Sequence, residues 1–140
     1  MKRYLAVLVF GLAAIAFMTG CSSNTPSGAV KKHLECMKNK DAKGVVESFY
    51  YGDITNDPEE LEKGKEQLIS MIENEGFKNL DAKGGVKSYE IVKEDAPDHA
   101  EPGSIAFVTV KTVYGNGEEV EDKVKVTMDK DGKWKMAWGR

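Results

Sequence analysis

The sequence predicts an α+β fold in which three N-terminal helices pack on a curved four-stranded antiparallel sheet. The first observation is a change of hydrophobic period, from near 3.6 residues before residue 80 to two residues after it. The second is a pair of hairpin-turn signals, Gly115-Asn116-Gly117 and Asp131-Gly132, which separate alternating segments. One apolar face of such a sheet must be covered, and the preceding helices supply the cover.

Composition divides the chain at Cys21. All 23 acidic residues follow this cysteine, whereas residues 1–20 contain only two cations, Lys2 and Arg3, among the charged residue types. If residues 1–20 were removed, these two cations would be lost, and the formal net charge would change from −3 to −5. The remaining length suits one domain, and its acidic balance argues against a nucleic-acid partner.

Residues 1–20 are predicted to be a lipoprotein signal peptide. The apolar run Tyr4–Met18 is shorter than the roughly 20 residues that a membrane-spanning helix requires. Met18-Thr19-Gly20-Cys21 resembles the lipobox of bacterial lipoproteins, in which cleavage between Gly20 and Cys21 leaves a diacylglyceryl-modified cysteine, although Met18 replaces the usual Leu. The alternative is an ordinary signal peptide followed by a free cysteine.

The lipobox predicts where the domain begins and where in the cell the protein is located. Residues 21–27 would form the lipidated cysteine and a flexible tether, and residues 28–140 the domain. The expected membrane contact is through lipid on Cys21. No Asp follows this cysteine directly, and no acidic run follows it, which by resemblance to other lipoproteins favours the outer membrane, facing the periplasm, of a Gram-negative cell.

The first two helices are predicted from apolar spacing. Residues 29–39 place Val30, Leu34 and Met37 on one face at i, i+4 and i+7. Asp41 can cap a second helix that runs through Tyr50. Cys36 lies on the first helix, where a small packing residue is expected rather than a nucleophile.

The third helix has the clearest start signal in the chain. Asp57 is the N-cap, Pro58 suits the first position, and Glu60 completes a capping box. The helix is expected to end at Gly76, as a C-cap, with Phe77 packing back. Its apolar stripe consists of Leu61, Leu68, Ile69 and Ile72.

Four strands follow from the period of two. The expected ranges are 86–93, 104–114 and 119–128, with a last strand through Trp134, Met136 and Trp138. The buried face of the second strand should carry Ala106, Val108, Val110, Thr112 and Tyr114. Lys123, Lys125 and Thr127 alternate with Val124 and Val126, so they should lie on a solvated face of the sheet.

Several short segments carry a family resemblance. They are Thr25-Pro26-Ser27 leading into Val30-Lys31-Lys32-His33-Leu34, Asp41 with Phe49-Tyr50, Ala106-x-Val108-x-Val110, and Asp131-Gly132-Lys133-Trp134-Lys135. In this order they resemble small bacterial lipoprotein domains of unknown function in the nuclear-transport-factor-2-like, or cystatin-like, superfamily. The resemblance covers about residues 26–138 and implies a cone of sheet and helices, often with a pocket at its open end.

No catalytic set is predicted. The resemblance implies that enzymes of this superfamily place an Asp or His base inside the cone. This chain has only two histidines, His33 and His99, and a structural or solvated role is expected for both. Asp98, His99 and Glu101 are adjacent in one acidic loop without a second ligand cluster, so neither a metal nor another cofactor is expected.

Aromatic residues are the candidates for a pocket at the cone mouth. They are Phe49, Tyr50, Tyr51, Tyr89, Tyr114 and Trp138. The alternative is that these side chains fill the core. Tyr50 and Tyr51 are the most suggestive pair, because adjacent residues at a helix end cannot both face the core.

The function expected from the sequence is therefore a lipid-anchored envelope protein with a small non-catalytic binding domain. Its partner would be an unknown small ligand or another envelope protein. Two alternatives stay open: an enzyme that uses an acid or base inside the cone, and a structural or assembly partner that acts through the exposed sheet face.

Overall fold

The computed structural model describes residues 25–137, apart from Asp53. The helices are α1 (Pro26–Lys38), α2 (Ala42–Glu47), α3 (Pro58–Met71) and α4 (Phe77–Ala82), and a π-helical segment, Ile72–Gly76, joins the last two. The predicted signal peptide, Cys21 and Trp138 lie outside the described residues. Within residues 25–137 no helix combines the length and the apolar composition that a membrane crossing demands.

The sheet confirms the predicted class and order. Strands β1 (Val86–Asp95), β2 (Ile105–Tyr114), β3 (Glu119–Met128) and β4 (Trp134–Met136) lie in the order β1-β2-β3-β4, and every neighbouring pair is antiparallel. The register between β1 and β2 shifts at two places, between Val86 and Ser88 and between Ile91 and Lys93. Bulges of this kind bend and twist a strand, which suits a sheet that wraps around helices.

The core lies between α1 and the sheet. Its buried side chains come from α1 and from the inward positions of β2, β3 and β4. They include Val30, Leu34, Ala106, Val108, Val110, Val126, Trp134 and Met136. The predicted inward face of β2 is confirmed, because Ala106, Val108, Val110 and Thr112 are buried and Tyr114 is half-buried.

Helix α1 begins three residues earlier than the sequence analysis expects. Thr25 is the N-cap and accepts a hydrogen bond from the Gly28 amide at 2.9 Å, so Pro26 and Ser27 belong to the helix rather than to the tether. Pro26 occupies the position where a missing N–H costs nothing. The amide and hydroxyl of Ser27 both donate to Glu94 Oε1, at 2.9 and 2.7 Å, which fixes the helix start to the end of β1.

Helix α2 is shorter than predicted. The Asp41 N-cap is confirmed by a 3.0 Å hydrogen bond from the Gly44 amide, but the helix ends at Glu47 rather than at Tyr50. Residues 48–50 leave the helix because they pair with the edge of the sheet. The Tyr50 amide donates to the Met136 carbonyl at 2.9 Å, and the Met136 amide donates to the Ser48 carbonyl at 2.8 Å.

The predicted end of the third helix at Gly76 is wrong. Gly76 has φ −60° and ψ −49°, so the helical path continues through it to Ala82. The Phe77 amide donates to the carbonyl of Ile72, five residues earlier, which is the π-helical spacing. The wider π-helical turn absorbs one residue more than an α-helical turn holds, so Phe77 and Leu80 keep the direction they would have in a regular helix one residue shorter. Both are buried in the core.

The chain ends this helix at Gly84 and Gly85, which have φ of +84° and +74°. The Gly85 amide donates to the Leu80 carbonyl and the Gly84 amide to the Asp81 carbonyl, which is a Schellman motif. Because glycine adopts positive φ without strain, this pair rather than Gly76 stops the helix.

The predicted capping box is also wrong in its second half. Asp57 caps the helix by accepting from the Glu59 amide at 3.0 Å. The Glu60 carboxylate, however, accepts from the Thr55 hydroxyl at 2.8 Å, and Thr55 Oγ1 in turn accepts from the Asp57 amide. Thr55 therefore takes the place that Glu60 was expected to hold.

Candidate functional site

Two adjoining grooves lie beside the segment that follows α2. The polar groove, of about 500 Å³, is formed where residues 47–56 run past α3 and the turn between β3 and β4. It is lined by Glu47, Phe49, Tyr50, Tyr51, Gly52, Thr55, Asn56, Leu61, Lys65, Asp129, Lys130, Asp131 and Lys135. The apolar groove, of about 480 Å³, is lined by Tyr51, Ile54, Thr55, Glu60, Leu61, Gly64, Lys65 and Leu68.

Backbone pairing positions the aromatic wall of the polar groove. Phe49 forms a parallel bridge with Met136, so the chain from Ser48 to Tyr50 runs beside β4. Successive side chains of an extended segment point to opposite sides. Neither tyrosine is therefore fully buried with its neighbour in the core: Tyr50 and Tyr51 are both half-buried, and both line the polar groove.

Tyr51 is held rigidly at the junction of the two grooves. Its hydroxyl donates to the Val46 carbonyl at 2.6 Å, and the Lys65 ammonium lies 5.0 Å from the centre of its ring. Burial, reinforced by the Glu47 carboxylate, raises the pKa of Tyr51 to about 12, so this phenol is neutral at physiological pH.

Two lysines converge on Glu47 at the floor of the polar groove. Lys65 Nζ lies 3.5 Å from the Glu47 carboxylate, and Lys135 Nζ donates to the Glu47 carbonyl at 3.1 Å. The Lys65 side chain is only 17% exposed, whereas that of Glu47 is 47% exposed. Burial, together with the charge of Lys32, lowers the pKa of Lys135.

The other aromatic candidates do not join this site. Tyr89 packs on the core, and its hydroxyl donates to Glu35 Oε2 at 2.6 Å; burial and this bond raise its pKa. Tyr114 packs near Phe77 and Val86, with the Lys83 ammonium 4.9 Å from its ring centre. Trp138 lies outside the described residues. The structure therefore brings together three of the six predicted residues, Phe49, Tyr50 and Tyr51.

His33 contacts Ser48 and Phe49 and has a structural role. Its Nδ1 lies 2.7 Å from Ser48 Oγ, and its ring meets Phe49 edge-on at 5.3 Å between centres. The Ser48 hydroxyl donates its one proton to the Val45 carbonyl at 2.6 Å, so the imidazole must be the donor to Ser48. Burial lowers the pKa of His33 to about 4, and Ser48 is not poised as a nucleophile with His33 as its base.

Neither Cys36 nor the acidic loop of Asp98, His99 and Glu101 lines the two grooves. Cys36 is half-buried, and burial followed by the Asp41 charge raises its pKa, so the thiol stays protonated. His99 is exposed between β1 and β2. Across residues 25–137, Asp53 excepted, no three His, Cys, Asp or Glu side chains lie close enough together to bind one metal ion.

Three site residues were not predicted from the sequence: Lys65 and Leu61, which line both grooves, and Lys135, which lines the polar groove. A sequence signal existed for two of them, because Lys65 follows Leu61 by four residues and shares its helix face. No local pattern reveals that β4 brings Lys135 to the end of α2.

A solved structure from Campylobacter jejuni, described as a candidate NTF2-like transpeptidase, resembles this chain over the described fold. The TM-score is 0.56 at 17% sequence identity, and the match covers 79% of this chain and 95% of the other. The fold is NTF2-like. The expected fold is thus confirmed, and a likeness at this identity carries no activity with it.

No protein-family model matches the chain, and no curated protein matches it.

Proposed function

We propose that this protein is a lipid-anchored lipoprotein of the bacterial cell envelope whose NTF2-like domain binds a ligand without transforming it. The observation that carries the binding role is the polar groove with its aromatic wall, Phe49, Tyr50 and Tyr51. A concave site with apolar walls and a few convergent polar groups is typical of ligand binding.

The contents of the domain interior favour binding over catalysis. The space between α1 and the sheet is filled by aliphatic side chains and Trp134. Among the described residues, the buried polar side chains are Ser48 and Thr112, neither of which is a general base. His33 donates to Ser48 and lies outside the lining of both grooves.

The anchor and the location rest on the leader. Met18-Thr19-Gly20-Cys21 supports lipid attachment at Cys21, with the domain facing the periplasm from the outer membrane. Only four residues separate this cysteine from α1, because the helix begins at Pro26. At about 3.5 Å per extended residue, the domain would lie within roughly 15–20 Å of the membrane surface.

The anchor is tested by growing cells with an alkyne-labelled fatty acid and separating membranes from soluble periplasm. The wild-type chain should carry label and sediment with outer membranes. Cys21→Ala should lose the label and appear in the soluble fraction, whereas Cys36→Ala should behave as wild type. Equal labelling of wild type and Cys21→Ala would overturn the proposed anchor.

The binding role is tested with the fluorescent probe 1-anilinonaphthalene-8-sulfonate. The full chain should enhance its emission, and Tyr51→Ala should reduce the enhancement because it removes the wall common to both grooves. Tyr89→Ala, away from the grooves, is the matched control. Emission that falls equally in both variants would count against a site at the grooves.

A further inference from the structure

The polar and apolar grooves adjoin along a shared wall, and together they are called the channel. Four residues line both of them: Tyr51, Thr55, Leu61 and Lys65. Each groove alone has a volume within the range of about 300–1,000 Å³ that is usual for ligand sites. A molecule long enough to enter both would therefore meet two different chemistries along its length.

The apolar groove is lined by apolar side chains that the fold buries only in part. Helix α3 buries none of its residues, although Leu61 and Leu68 lie on one of its faces. Ile54 stands across from them in the loop and is 58% exposed. Gly64 lies in the same wall, and a Cβ placed there would meet nothing within 4 Å. An alkyl chain bound in this groove would contact the methyl groups of the lining, and the space beside Gly64 would be free to hold it.

The polar groove is lined by three lysines, Lys65, Lys130 and Lys135, and by three acidic residues, Glu47, Asp129 and Asp131, and two of the lysines contact Glu47. Lys65 lies at the junction, and Lys135 lies farther in, with its ammonium held by the Glu47 carbonyl. The Glu47 carboxylate is 3.5 Å from Lys65, which is long for a charge-assisted hydrogen bond, and its side chain is half exposed. An incoming carboxylate could therefore take the place of Glu47 beside Lys65 as that side chain turns into solvent.

We propose that the channel binds a single-chain fatty acid, with the carboxylate between Lys65 and Lys135 and the alkyl chain along Tyr51, Leu61, Ile54 and Leu68. The assignment rests on the binding role proposed above and names its ligand class. The ammonium groups of Lys65 and Lys135, which both contact Glu47, select the anionic head. The adjoining apolar groove selects one long chain rather than a compact anion. Membrane attachment would place the channel close to a source of acyl chains.

The first test blocks the alkyl-chain end of the channel. The probe is 11-(dansylamino)undecanoic acid, added to the full chain with Cys21→Ser, which keeps every described residue. Gly64→Leu should raise its dissociation constant at least tenfold, because the new side chain occupies the apolar groove. Gly64→Ala is the matched control: it makes the same gain in helix propensity, fills little of the groove and should retain wild-type affinity. Equal affinity of Gly64→Leu and Gly64→Ala would overturn the proposal.

The second test alters the head-binding end. Lys135→Gln should weaken the probe about tenfold, as expected for loss of a charge-assisted contact. Glu47→Gln should strengthen it several-fold, because it removes the competing carboxylate and leaves the carbonyl that holds Lys135. Lys123→Gln on the outer sheet face, where its ammonium lies 4.9 Å from the Phe107 ring centre, should change nothing. An affinity that Lys123→Gln lowers as much as Lys135→Gln would refute the head assignment.

Competition identifies the ligand chemistry. Dodecanoate should displace the probe, whereas dodecyltrimethylammonium, which has the same chain and the opposite charge, should not. Equal displacement by both, or displacement only by vesicles of phosphatidylglycerol, would overturn the fatty-acid assignment. If the probe fails to bind while Cys21 still determines membrane attachment and anilinonaphthalene sulfonate still reports the groove, this inference falls and the proposed function stands.

Discussion

His33 donates a hydrogen bond to Ser48, with 2.7 Å between Nδ1 and Oγ. The bond joins α1 to the end of α2, and the Phe49 ring closes over the imidazole from the groove side. The geometry requires a proton on Nδ1, because the Ser48 proton is committed to the Val45 carbonyl. Burial lowers the pKa of His33 to about 4 and so keeps the ring neutral at physiological pH.

Acid should therefore destabilise the domain through His33. The unfolded histidine binds a proton near pH 6.5 but the folded one only near pH 4, so the unfolded state holds more protons between these values. The free energy of unfolding should fall as pH drops from about 6.5 to 4, by at most about 3 kcal/mol. Urea unfolding of His33→Gln should show a flatter profile over this window than wild type. His99→Gln should keep the wild-type slope, and a flattened slope there would contradict the assignment.

Removal of one residue from the π-helical segment should be tolerated. The Phe77 amide bonds to the carbonyl five residues earlier, at Ile72, whereas an α-helix bonds four residues earlier, so this turn holds one extra residue. Deletion of the exposed Asn74 should leave a regular helix that still directs Phe77 and Leu80 into the core, with a thermal midpoint within a few degrees of wild type. Deletion of Asn79, between those two buried residues, should instead unfold the region. Circular dichroism melts distinguish the two deletions, and equal losses would contradict this account.

The helix end and the first hairpin are in backbone contact at Gly84 and Gly115. A Cβ at Gly115 would collide with the Gly84 carbonyl, although Gly115 is not at positive φ. Gly115→Ala should therefore cost about 2 kcal/mol or more through overpacking alone. Gly117→Ala, at φ +91° with open space around its Cβ, should cost about 1–2 kcal/mol through backbone strain alone. Gly84→Ala combines both effects and should be the worst of the three in chemical denaturation; any other ranking would contradict the contact.

Tyr50 and Tyr51 should differ in their contribution to stability. Tyr51→Phe removes the hydroxyl that donates to the Val46 carbonyl and should lower the free energy of unfolding by about 1 kcal/mol. Tyr50→Phe is the control, since the Tyr50 hydroxyl points toward the exposed Gly52. Thermal melts of the two variants provide the comparison, and a larger loss for Tyr50→Phe would show that the roles are reversed.

Strands followed the sequence more closely than helix ends did. The period of two and the turn signals were enough to predict β2 and β3 almost to the residue, because alternation along a strand is a local property. Helix ends were harder. Gly76 fits the sequence pattern of a C-cap. The helix nevertheless continues through it, because the next turn buries Phe77 and Leu80 in the core. Local propensity gives way to packing at such positions.

The candidate site shows the same division. The sequence determined that Tyr50 and Tyr51 could not both be core residues, since neighbouring side chains diverge whatever the backbone. It could not place Lys135 near Glu47, because that contact depends on the pairing of residues 48–50 with β4 across 88 positions of chain. Composition and period thus determined the class of the domain and its strands, and the motif that ends at Cys21 predicts the anchor. Tertiary pairing decided which aromatic residues share a groove and which cations stand beside them.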